Sequence, residues 1–163
     1  MLIKIENGIS NLRALIHYKM LYGKKLKISK HVRFRKNMNI SISKEGNIFI
    51  GEGTFFNNNC SINSRLSLYI GRNVLFGENV KIYDHNHRFN KRLPKFKQGF
   101  SCSPIKIEDN CWIGSNVVIL KGVTVGENSV IGAGVVLRHS VKPNTIVSSD
   151  EDSLVKEQIN FVR

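Results

Sequence analysis

The stretch Ile107 to Val141 reads IEDNCWIGSNVVILKGVTVGENSVIGAGVVLRHSV, with an aliphatic residue at every sixth position: Ile107, Ile113, Ile119, Val125, Ile131 and Leu137. Four residues after each comes a second, mostly small residue: Cys111, Val117, Val123, Ser129, Val135 and Val141. An α-helix repeats its faces every ~3.6 residues and a flat strand every ~2, so neither produces this pattern. Three such steps close a turn of about 18 residues. The chain must therefore coil round a triangular core, with the aliphatic positions buried as rungs that stack about 4.8 Å apart.

Worked outward from this stretch, the ladder continues through Ile70, Phe76 and Ile82, through Ile50, Phe56 and Ile62, and through Ile28, Phe34 and Ile40. That makes about five coils. The six-residue step breaks only between triplets, at Ile40 to Ile50, Ile62 to Ile70 and Ile82 to Ile107, so every insertion leaves the same corner of the triangle. The last of these is a long loop over residues 83–106.

The segment IGSNVVILKGVTVGENSVIGAGVVLRHSV, Ile113 to Val141, resembles the hexapeptide-repeat signature of bacterial acyltransferases. The likeness extends over roughly residues 46–147 and is nearest the maltose, galactoside and capsular-polysaccharide O-acetyltransferases. It implies an all-β chain wound as a left-handed parallel β-helix. That hand comes from the resemblance alone, because ordinary parallel crossovers are right-handed. The expected organisation is an N-terminal cap over residues 1–25, the β-helix over 26–147, and a C-terminal cap over 148–163.

At 163 residues the chain has room for one such prism and no second domain. No apolar run approaches the roughly 20 residues that span a bilayer. The start, MLIKIENGIS, offers no clean signal-peptide core, so the cytoplasm is the default location. Residues 9–22, ISNLRALIHYKMLY, place Ile9, Leu12, Ile16 and Met20 at helical spacing, which predicts an amphipathic helix. Its structural role would be to cap the open end of the prism. Its functional role would be a basic foot on a membrane carrying lipid-linked sugars. A short C-terminal helix is expected over Asp152 to Val162.

The 25 Lys and Arg against 12 Asp and Glu give a net charge of +13, concentrated in two acid-free stretches, one between Glu6 and Glu45 and one between Asp84 and Glu108. Such clustering attracts anions. No recognition-helix, RNP-type or zinc-finger pattern accompanies it, so nucleic acid is not the expected partner. An anionic glycan, coenzyme phosphates or an anionic membrane surface fits better. Cys60 and Cys111 sit at small inward positions and read as core fillers, and Cys102 in the loop lacks a partner at metal-binding or redox spacing.

The long loop opens Tyr83-Asp84-His85-Asn86-His87-Arg88-Phe89. Acyl transfer from a thioester to a hydroxyl needs a base of near-neutral pKa, which histidine supplies, and donors for the oxyanion. By the resemblance His87, five residues after the rung Ile82, is the catalytic base, with His85 as the alternative should the alignment slip. The family also implies acetyl-CoA as co-substrate, no metal, a saccharide acceptor and a homotrimer with active sites between prisms. Trp112 would pack against the coenzyme's arm and the Ser115 backbone N–H would meet the oxyanion. Gly114 would leave room for close approach, and Ala133, Arg138 and His139 would contact the pantetheine or its phosphates. Asn57 falls where relatives contact sugar hydroxyls.

Arg65 stands where relatives place an acid, and with Arg88 and the basic loop it favours an acidic acceptor such as a sialic or uronic acid. Two departures stand out: Arg138-His139 replaces the common Thr-Lys, and the acidic run from Asp150 to Asp152 replaces a phosphate-friendly turn. The competing activities are N-acetylation of an amino-sugar nucleotide or antibiotic, and a non-catalytic basic scaffold for glycan or membrane.

Overall fold

In the computed structural model, which describes residues 2–149 and 154–158 and the side chains of residues 11–148, the six-residue step becomes three parallel sheets folded into a prism. The first coil runs Leu26–Ile28, Arg33–Phe34 and Asn39–Ile42, one strand to each face. Four more coils repeat this, and each strand pairs in parallel with its equivalent one coil on: Ile50 with Ile70, Phe56 with Phe76, Ile119 with Leu137. The rungs from Phe34 to Leu137 are at most 3% exposed, so the hexad positions form one continuous core. Phe56 and Phe76 stack at 4.4 Å between ring centres.

The corners are as regular as the rungs. Three residues after a rung the backbone turns with positive φ, and asparagine occupies most of these positions, including Asn37, Asn59, Asn79 and Asn116. Asparagine tolerates this left-handed region better than most residues, because its short side chain can hydrogen-bond locally. The side chains also link coil to coil: Asn37 donates to Asn59 at 2.9 Å and Asn79 to Asn116 at 2.7 Å. Asn59 is thus a corner residue.

The N-terminal helix is longer than the sequence pattern marks, Leu2–Tyr22, and it sits on the first coil. Asn11 accepts from the Phe34 backbone, and the Tyr18 and Tyr22 hydroxyls donate to the carbonyls of Met38 and Ile40. Ala14, Leu15, Tyr18 and Tyr22 pack on the core. This is a different face from the one the spacing singles out. Leu12, Ile16 and Met20 are 58%, 51% and 82% exposed. Periodicity finds an apolar stripe, but this helix carries two, and the tyrosines on the other provide hydroxyls for the carbonyls of the open coil.

The C-terminal expectation is corrected. Within Asp152 to Val162 the described residues form a strand, Leu154–Gln158, antiparallel to Thr145–Ser149; residues 150–153 and 159–163 lie outside the described residues. The strand Thr145–Ser149 extends the second face past the fifth coil, leaving a free edge. A strand satisfies that edge's backbone groups, which a helix cannot do.

Candidate active site

The second face carries an apolar cavity of about 440 Å³, whose wall includes Leu75, Trp112, Val130 and Ile131, with Asn57, Ser115 and Ala133 at its margin. Trp112 points outward because it precedes the buried rung Ile113, and it is 52% exposed. Gly114 also lines the cavity, but its constraint is internal. A Cβ there would lie 2.7 Å from the Ala133 nitrogen one coil on, so coil stacking, before any ligand, excludes a side chain.

Ser115 stands in a column of corner residues, Asn58, Glu78, Ser115 and Ala133, each two after its rung. In this column the Lys36 N–H donates to the Asn58 side chain one coil on, and the Glu78 N–H donates to Ser115 Oγ at 3.1 Å. The Ser115 N–H has only Ala133 ahead of it, which offers no side-chain oxygen. Among the described residues the pattern of satisfied corner donors therefore lapses at the rim of the cavity, leaving a backbone donor for a ligand.

The loop residues gather elsewhere, at the corner between third and first faces. Asp84 is fully buried and its carboxylate accepts from the backbone N–H groups of Arg65, Leu66 and Ser67 and from Ser64 Oγ, all within 3.0 Å. His85 Nδ1 lies 3.0 Å from Asp84 Oδ1. From there His85–His87 pairs antiparallel with Phe100–Cys102, His87 opposite Phe100. Two residues apart on one strand, His85 and His87 share a face. The Phe100 ring is their common neighbour, 5.4 Å from the His85 ring and 4.4 Å from that of His87, while the Arg65 guanidinium lies 3.4 Å over its centre.

The structure thus brings Arg65, His85 and His87 together around Phe100, a residue the sequence reading does not single out, because nothing in GFSC marks it before the hairpin register is known. Arg88 donates through Nε to the Phe100 carbonyl at 3.0 Å. Asn57 stays with the cavity, where its Oδ1 accepts from the Asn58 N–H at 2.9 Å and from Arg35 at 3.4 Å. Arg138 and His139 are exposed after the rung Leu137 and line neither cluster. Within one chain the histidines do not line the cavity that holds Trp112 and Ser115.

Burial pushes the Cys111 thiol up to about 11 and raises that of Cys60, which removes both as thiolate nucleophiles. Among the described residues no group of three or more His, Cys, Asp or Glu is placed to hold a metal ion, and no helix is long and apolar enough to cross a membrane.

The bacterial transferase hexapeptide family (six repeats) matches residues 104–139. A maltose O-acetyltransferase from Clostridium difficile 630 superposes with a TM-score of 0.66 at 34% identity, over 81% of this chain and 71% of that one. The chain belongs to the hexapeptide-repeat acyltransferases. A family member from Vibrio cholerae, solved with acetyl coenzyme A, superposes with a TM-score of 0.73 at 29% identity, covering 90% of this chain and 78% of that one. The galactoside O-acetyltransferase of Escherichia coli K12 is 37% identical over 118 residues, 72% of this chain and 58% of its own. The chain spans about half the length of the curated relatives it matches. Membership supplies the left-handed winding that the period alone leaves open.

Proposed function

We propose that this chain is an acetyl-CoA-dependent O-acetyltransferase that esterifies a hydroxyl of a cell-surface glycan sugar, working in the cytoplasm as a homotrimer. The observation that carries this reading is the unspent Ser115 N–H at the rim of the apolar cavity beside Trp112. Pantetheine and thioester fit an apolar wall, while a thioester carbonyl needs a donor where its oxygen becomes negative. A passive glycan-binding scaffold has no use for that arrangement.

His87 acts as general base. It takes the sugar hydroxyl's proton as the oxygen attacks the thioester carbonyl; the oxyanion is met by the Ser115 N–H; collapse expels the coenzyme thiolate, which receives the proton from His87 and leaves an acetyl ester. Phe100 fixes the ring's inclination. His85, tied to Asp84 through Nδ1, holds the base of the hairpin. The raised thiols of Cys60 and Cys111 fit direct transfer without an acyl-enzyme.

The homotrimer is what the family resemblance implies, and the separation of the two clusters within one chain supports a site shared between copies. His87 does not line the Trp112 cavity of its own chain, and in this reading a neighbouring prism supplies one to the other. Apolar residues on both regions support this: Leu75 and Trp112 on the face, and Phe89, Leu93 and Phe96 on the loop, are each at least 46% exposed. Arg65 beside the histidines favours a carboxylate-bearing acceptor, and Arg138 and His139 would lie near the coenzyme's phosphates. Release of free coenzyme A thiol, followed across neutral, acidic and amino sugars, tests the reading. Turnover with hydroxyl acceptors, greatest with acidic sugars, is expected. Turnover confined to amines would replace O- by N-acetylation, and the absence of both turnover and acetyl-CoA binding would leave a scaffold.

A further inference from the structure

The N-terminal helix presents its second apolar stripe to solvent. With Ala14, Leu15, Tyr18 and Tyr22 against the core, Leu12, Ile16 and Met20 fall on the opposite side, 58%, 51% and 82% exposed. At about 100° per residue these three span an arc of roughly 80°, bordered by Lys19 on one side and Arg13 on the other. Ile5 and Ile9 continue the same register in the sequence. A long helix could have presented a polar outer face; this one does not.

The surroundings say what covers it. No acid occurs between Glu6 and Glu45, while Arg13, Lys19, Lys24, Lys25, Lys27, Lys30, Arg33, Arg35, Lys36 and Lys44 do. All ten are exposed, and among the described residues none is in an ion pair. They belong to the helix, the turn after it, and the first coil with the turn that leaves it, so they ring the end of the prism that the helix covers. Of the described acids, Glu45 lies in the turn after Lys44 and Glu52 on the second coil, 3.0 Å from His31, while the others lie farther along the chain. Cations therefore far outnumber acids at this end of the prism, and an apolar stripe is set among them.

A second copy docked by this stripe would set Arg13, Lys19, Lys24 and Lys25 of each chain against one another, and among the described residues none of the four is paired with an acid that would offset the repulsion. An anionic lipid surface suits both features at once: it receives the apolar stripe at the headgroup level and attracts the surrounding cations. We propose that the helix lies in the plane of an anionic membrane through Leu12, Ile16 and Met20, standing the prism end-on with Arg13, Lys19, Lys24 and Lys25 at the headgroups. The inference goes beyond the proposed chemistry and does not depend on it, since the stripe and the active-site clusters are separate surfaces. It would bring the enzyme to acceptors carried on lipid.

The test is co-sedimentation of the full chain with phosphatidylcholine vesicles, with and without phosphatidylglycerol, at low and high salt. Wild type should bind vesicles containing phosphatidylglycerol at least about tenfold more tightly than phosphatidylcholine alone, and salt should weaken the binding. Leu12→Ser/Ile16→Ser/Met20→Ser should lose binding while keeping the circular dichroism spectrum and melting temperature, because those side chains support no core. Lys24→Glu/Lys25→Glu, which leaves the stripe intact, should weaken binding by at least about 25-fold, at about fivefold per cation lost.

Equal binding to both vesicle types, or undiminished binding by the triple variant, would overturn the proposal. So would sedimentation velocity showing that the triple variant breaks down a wild-type oligomer, which would make the stripe a contact between copies. Acetyl-transfer to a soluble sugar should persist in both variants; that readout separates failure of membrane docking from failure of the catalytic reading.

Discussion

His87 and His85 are two residues apart on one strand, yet their surroundings give them different work. His85 is held through Nδ1 by a buried carboxylate that also takes three backbone donors, an arrangement that fixes the corner from Arg65 to Ser67. His87 is exposed and rests on Phe100, and its ring makes no hydrogen bond among the described residues, as the proposed base requires. The cysteines divide in the same way. Cys102 is exposed, while Cys60 and Cys111 are buried inside the prism with raised thiol pKa values. A thiol reagent at neutral pH should therefore label one cysteine in the native protein, Cys102, and all three only after denaturation. Mass spectrometry of the labelled peptides checks this, and rapid native labelling of Cys111 would contradict the core assignment.

At the scale of elements, rungs and corners obey different chemistry. Rungs are set by burial, and a six-residue period in aliphatic residues shows in the sequence without any alignment. Corners are set by backbone conformation and by hydrogen bonds to the next coil. One corner segment carries the two shortest ion pairs among the described residues, Arg72–Asp109 and Lys106–Glu108, each at 2.7 Å. The Lys106 ammonium holds the Glu108 carboxyl below the usual range, and the Arg72 backbone N–H and guanidinium do the same for Asp109. Both carboxyls are lower in the folded than in the unfolded chain, so their stabilisation is complete above the ordinary carboxylate pKa of about 4 and is lost as pH falls through the lowered folded values. Melting temperature should drop below pH ~4, and less steeply in Glu108→Gln/Asp109→Asn. Equal acid sensitivity in the two proteins would remove these carboxyls as the cause.

What the sequence left out at this scale has physical reasons. The loop's hairpin was hidden because His85–His87 and Phe100–Cys102 pair across an intervening stretch with no repeat. Phe100 therefore could not be joined to the histidines. The helix's packed face is not legible because two apolar stripes give no single answer to a periodicity search. The last strand was missed because its partner edge exists only once the prism is built.

For the whole molecule, the prism is legible because each coil must bury the same positions as its neighbours, whereas the proposed sharing of an active site between prisms depends on surfaces that no one-chain period records. Charge is the property of the assembled surface that the sequence does report. If Arg65, over Phe100 beside the histidines, selects an acidic acceptor, its attraction acts over a Debye length of about 8 Å at physiological salt. At saturating acetyl-CoA, raising salt should lower kcat/KM for an acidic sugar more than for its neutral analogue, and Arg65→Ala should narrow the gap. Equal salt sensitivity would assign the basic stretches to coenzyme or membrane instead.

The central claim is that His87 removes the acceptor's proton while the Ser115 N–H receives the thioester oxygen. Steady-state acetyl transfer to a hydroxyl sugar by wild type, His87→Ala and His85→Ala, with acetyl-CoA affinity measured separately, tests it most directly. His87→Ala should lower kcat by at least about 100-fold while coenzyme affinity changes little. A nearly silent His87→Ala beside a crippled His85→Ala would contradict the account and move the base two residues along the strand.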